Sequence, residues 1–115
     1  MSDPEILVVC LCAQWCGVCR EYTQAFTQVR ERFGAMRFVW IDVEDEAELV
    51  DPVEVENFPT LLIAHGTQPR FFGPLTPQPG TLERIVRERS AHADPALAGR
   101  ADLVALVARL RSVAD

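Results

Sequence analysis

Ile6-Leu7-Val8-Val9-Cys10-Leu11-Cys12-Ala13-Gln14-Trp15-Cys16-Gly17-Val18-Cys19 decides the fold. Its first six residues, Ile6 to Leu11, form an unbroken apolar run rich in β-branched side chains. That pattern fits a central strand buried on both faces, as in a parallel sheet. From Cys16 onward the period changes: Cys19, Tyr22, Ala25, Phe26, Val29 and Phe33 recur at helical spacing, with Gly34 as a stop. A buried strand therefore turns directly into an amphipathic helix, and four cysteines, Cys10, Cys12, Cys16 and Cys19, crowd that turn.

The rest of the chain extends this unit. Arg37 to Asp42 reads as a second strand and Glu44 to Asp51 as a short helix closed by Pro52. Thr60 to Ala64 reads as a third strand. A turn at His65-Gly66-Thr67-Gln68 leads into Pro69 to Phe72, an edge strand because proline cannot donate to a ladder. Gly73 to Gly80 reads as a loop, and Leu82, Ile85 and Val86 mark a helix ending near Ser90. Leu103, Val104, Leu106, Val107, Leu110 and Val113 form the stripe of a final helix, with Asp102 as its cap. The expected class is α/β: a mixed sheet in β-α-β-α-β-β-α order, helices on both faces, and an extra C-terminal helix. A length of 115 residues suits a single domain, with a core over about 5–90 and an extension over about 94–115.

Composition removes several functions. Acidic residues outnumber basic ones 17 to 11, a net charge of -6, the wrong sign for binding nucleic acid or an anionic membrane. All the basic residues are arginine, so Schiff-base and P-loop lysine chemistry is excluded. No stretch approaches the roughly 20 apolar residues of a membrane span. The acidic start, Met1-Ser2-Asp3-Pro4-Glu5, lacks the positive charge of a signal peptide. If Met1 is the true start, the expected location is cytoplasmic, where structural disulfides are rare. The cysteines then ask for a chemical reading.

Cys16 and Cys19 lie three residues apart on the first helical turn, a spacing that permits a disulfide. The unpaired N–H groups and dipole of the helix N-terminus favour a thiolate at Cys16, lowering its pKa from about 8.5 toward 7. Cys16 is thus the expected nucleophile and Cys19 the resolving thiol. Cys10 and Cys12 share one strand face and are either accessory redox thiols or small buried hydrophobes.

At this point the chain resembles the thioredoxin superfamily, on Trp15-Cys16-Gly17-Val18-Cys19 after a buried strand, Phe58-Pro59-Thr60 opening the third strand, and Gly73 after the edge hairpin. The resemblance implies a thioredoxin-like fold and disulfide exchange without a metal or organic cofactor. It also implies that Pro59 is cis and packs against the redox pair, and that the backbone of Phe58 pairs with an extended substrate. Trp15, Gly17, Val18, Phe58, Pro59 and Thr60 become the expected substrate surface. The implied partners are protein disulfides, with a thioredoxin reductase or glutathione as reductant; a monomer is expected.

The chain also departs from the family. Cys10 stands where a buried carboxylate usually assists the resolving thiol, Phe38 replaces the lysine beside it, Cys12 replaces an aromatic residue, and Val18 replaces proline. A thiol cannot be the same resting base. Slow resolution, or a proton carried by water or substrate, is expected. No strand and helix precede Ile6 as in full thioredoxins, leaving a glutaredoxin-like core whose exposed sheet face the C-terminal stripe is expected to cover.

Three other readings compete with this one. Cys12-x3-Cys16-x2-Cys19 matches a radical SAM cluster motif, but 115 residues cannot build the required barrel. A four-cysteine zinc site conflicts with Cys10 and Cys12 lying inside a strand. A non-catalytic binding or chaperone module on the same fold is motivated by the missing carboxylate, and opposed by the retained Cys16/Cys19 pair. His65 and His92 are expected as surface residues. The acids Asp42, Glu44, Asp45, Glu46 and Glu48 lack the glycine-punctuated spacing of a calcium loop.

Overall fold

In the computed structural model, which describes residues 6–13, 17–50, 53, 59–74, 79–97 and 99–113, the apolar run becomes β1 (Ile6–Cys12). It is followed by α1 (Gly17–Arg32), β2 (Arg37–Asp42), α2 (Ala47–Val50), β3 (Thr60–His65), β4 (Gln68–Pro74) and α3 (Pro79–Ala91). A 3-10 turn at Pro95–Leu97 then leads into α4 (Ala101–Val113). The sheet order is β2-β1-β3-β4. β1 pairs parallel with β2 and antiparallel with β3, and β3 pairs antiparallel with β4.

The unbroken hydrophobicity of β1 has a simple cause: both its faces are covered. Leu7, Val9 and Leu11 point into one core with Leu62, Ala64, Leu103, Leu106, Val107 and Leu110. Val8, Cys10 and Cys12 point the other way, toward Cys19, Tyr22, Phe26 and Val29 of α1 and Leu82 and Val86 of α3. The alternation of a strand thus divides one sequence run between two cores. α4 covers the first face as expected, and Val104, on its outer side, is 37% exposed.

Several boundaries differ from the sequence expectation. The acidic segment forms turns over residues 43–46, and among its described residues the helix is Ala47–Val50; Asp51 and Pro52 lie outside them. The Asp42 carboxylate accepts the backbone N–H of Glu44 at 2.9 Å and of Asp45 at 3.2 Å, which favours a turn over an earlier helix start. β4 runs on to Pro74 and α3 begins at Pro79, so the expected loop is shorter at both ends. Asp102 lies inside the first turn of α4 rather than at its cap; Arg100 donates to both its carboxylate oxygens at 2.9 Å. α1 ends without a left-handed glycine at Gly34, whereas Gly66 takes that conformation (φ 62°) in the β3–β4 turn. His65 is half-buried, and its Nδ1 lies 3.3 Å from Arg70 Nη2, so Nδ1 accepts from the guanidinium. His92 is exposed. No helix among the described residues is long and apolar enough to cross a membrane.

Candidate redox site

The site lies where β1 ends and α1 begins. Cys12 is the last residue of β1, opposite Asp42 of β2, and its carbonyl accepts the N–H of Val43 at 2.8 Å. That anchor fixes the strand end, and alternation turns the Cys12 side chain toward α1. Cys19 occupies the first turn of α1 on the helix face that also carries Tyr22 and Phe26. The two sulfurs are joined as a disulfide, Cys12–Cys19, with Cα atoms 5.8 Å apart, within the ordinary bridging range. Each residue is 1% exposed.

Cys10 is buried, and among the described residues it is the free cysteine. Its Sγ lies 3.6 Å from that of Cys12. Because Cys12 carries no hydrogen in the disulfide, Cys10 is the donor. Burial pushes the Cys10 thiol up to about 12. It therefore stays protonated where the family commonly has an ionisable carboxylate. Tyr22, packed in the same core, is also held protonated by burial and secondarily by Cys10, and its hydroxyl has no hydrogen-bond partner. On its core side the disulfide meets a donor, the Cys10 S–H, and no carboxylate among the described residues.

Phe38 occupies the expected lysine position and stacks edge-on against Phe26 at 5.4 Å, as Trp40 does at 5.5 Å. A cleft of about 360 Å³ opens beside the disulfide, lined by Cys12, Ala13, Cys19, Arg20, Thr23, Trp40, Asp42 and Asp45.

Of the expected site residues, Gly17 and Val18 lie in α1, and Pro59 is buried at the entrance to β3. The register that sets Leu11 opposite Thr60 brings Pro59 to the end of β1 that bears Cys12. A side chain on Gly17 would meet only the far end of Arg20 at 3.9 Å, so local packing does not demand glycine there. Trp15, Cys16 and Phe58 lie outside the described residues. The sequence reading paired Cys19 with Cys16; here the sulfur bonded to Cys19 is that of Cys12, previously read as an accessory thiol or a buried hydrophobe. The signal was present in the alternation, which puts Cys12 on the α1 face directly before the helix. Among the described residues, no three His, Cys, Asp or Glu side chains converge as a metal site.

Residues 1–77 match the thioredoxin family model. Thioredoxin H2-1 of Oryza sativa subsp. japonica is 32% identical over 65 residues, covering 56% of this chain and 47% of its own length. Thioredoxin H2-2 of the same plant is 35% identical over 66 residues, covering 56% and 49%. The chain thus spans about half the length of these curated relatives. In fold it is similar to oxidised mitochondrial thioredoxin 3 of Saccharomyces cerevisiae (TM-score 0.67, 24% identity, 75% of this chain and 80% of that one). It is equally similar to thioredoxin of Trypanosoma brucei brucei (TM-score 0.67, 24% identity, 79% and 80%). With the family match spanning more than half its length and a mixed sheet of the same fold beneath its cysteines, the chain belongs to the thioredoxin family.

Proposed function

We propose that the chain is a thiol–disulfide oxidoreductase that reduces protein disulfides through Cys16 and Cys19. The observation that carries this reading is the place of Cys19: in a thioredoxin-family chain, a buried cysteine stands on the first turn of α1, at the end of the central strand. In the cycle, the Cys16 thiolate attacks one sulfur of the substrate disulfide and releases the other as a thiolate. Cys19 then attacks the Cys16 sulfur of the mixed disulfide, expels the reduced substrate and leaves Cys16–Cys19 oxidised. A thioredoxin reductase or glutathione returns the two electrons. Cys16 directly precedes α1, whose 16 residues end their unpaired N–H groups on that side and favour its thiolate.

Trp15, Gly17, Val18, Phe58, Pro59 and Thr60 form the docking surface in this reading, with an extended substrate segment lying beside the entrance to β3. The chain works as a monomer in the cytoplasm, with net flow toward reduction. Replacing Cys19 with Ser tests the cycle. Cys19→Ser is expected to accumulate a Cys16–substrate mixed disulfide, seen by non-reducing electrophoresis and mass spectrometry, and Cys16→Ser to form none. Equal amounts of adduct in both variants would remove Cys16 from the role of nucleophile and favour a non-catalytic binding module on the same fold.

A further inference from the structure

We propose that Cys12 is a third redox cysteine of this site, taking the disulfide over from Cys16 so that the stable oxidised form is Cys12–Cys19 with Cys16 as a thiol. The inference rests on the proposed Cys16/Cys19 cycle for its entry step.

Cys19 is the sulfur common to both bonds. Cys16 precedes it by three residues in sequence, a spacing that permits a disulfide, and its sulfur is bonded to that of Cys12. In the transfer, the Cys12 sulfur attacks Sγ of Cys19. The Cys12–Cys19 bond forms, the Cys16–Cys19 bond breaks, and Cys16 leaves as a thiolate. The Cys12 proton passes to solvent through the cleft that Cys12 and Cys19 line. Two sulfurs are oxidised before and after, so no further oxidant is required; the substrate disulfide was the oxidant, and the two electrons left with the reduced substrate.

Two features favour this direction. The leaving group is the thiolate that the start of α1 stabilises best. The product bond lies in the sheet–helix core, 1% exposed at each end, where an external thiol has little access. Its reduction must then pass back through Cys16. On that return step Cys12 is the leaving sulfur, and the Cys10 S–H at 3.6 Å is placed to donate to the charge that develops on it. Cys10 is a positioning and hydrogen-bonding residue in this scheme, while Cys12 is a reacting one.

The test is to equilibrate the whole chain with reduced and oxidised glutathione, quench in acid, alkylate the free thiols and locate the labels by fragmentation mass spectrometry. The expected oxidised species carries its label on Cys16, with Cys12 and Cys19 protected. If at least about nine-tenths of the oxidised protein is in this form, removing Cys12 lowers the equilibrium constant for oxidation about tenfold or more, so the potential of Cys12→Ala rises by about 30 mV or more. Label on Cys12 with Cys16 and Cys19 protected, or an unchanged potential in Cys12→Ala, would each overturn the inference. If Cys12→Ala fails to fold, the wild-type label map decides. Equal turnover of a protein disulfide by wild type and Cys16→Ser would defeat the Cys16 nucleophile reading, an outcome separate from where the label falls.

Discussion

Cys10 replaces an ionisable group with one that its surroundings keep neutral, and that single exchange sets the proton chemistry of the site. Burial holds its thiol near 12, so at neutral pH it donates a hydrogen bond and takes up no proton. The same shift has a consequence for stability. Above about pH 9 the unfolded chain loses this proton while the folded chain keeps it, so the contribution of Cys10 is intact below that pH and lost as pH rises toward 12. The loss is at most about 1.4 kcal/mol per pH unit. Chemical denaturation of oxidised protein at about pH 8 and about pH 10 is expected to show a steeper alkaline fall in wild type than in Cys10→Ala. Parallel curves would contradict the buried, unionised thiol. Sequence alone revealed the substitution, and its alternation placed Cys10 and Cys12 on one face. It did not reveal which sulfur Cys19 meets, because that depends on the distance between a strand end and a helix face.

Element by element, the pattern that survived best was periodicity. β1, α1 and β2 lie where apolar period and run length place them, since each buries a face that the sequence must keep apolar. The differences cluster where side chains compete for backbone groups. Asp42 turns the chain after β2 and delays α2, and Arg100 pairs with Asp102 inside the first turn of α4. Such competition is local hydrogen bonding, which hydrophobic patterning does not record. The C-terminal stripe covers the sheet face carrying Leu7, Val9 and Leu11, so α4 is integral to that core. Leu106, fully buried, is expected to cost about 2–5 kcal/mol when cut to Ala and to lower the melting temperature by roughly 10 °C or more. Val104→Ala, on the outer side of the same helix, is expected to cost less than about 1 kcal/mol. Similar losses in the two variants would mean that α4 does not use this face for packing.

Across the whole molecule, two cores on opposite faces of one four-stranded sheet hold the cysteine turn at the end of its central strand. The central place of β1 and the edge place of β4 were accessible from sequence, because the double-sided run marks the one and proline at position 69 the other; the full strand order came from the structure. The docking surface was accessible only through family resemblance, since Trp15 and Phe58 show no pattern of their own. Direction of electron flow belongs to this scale as well. A reductase of the proposed kind is expected to equilibrate with glutathione at a potential near or below about -230 mV, whereas a value near -120 mV would mark an oxidant.

The most direct measurement is steady-state reduction of a protein disulfide by the whole chain, wild type beside Cys16→Ser, with a dithiol as electron donor. Catalysed turnover above the uncatalysed rate in wild type, abolished in Cys16→Ser, is the predicted result. Turnover that Cys16→Ser retains in full, or a wild-type rate no higher than that of the donor alone, would contradict the account.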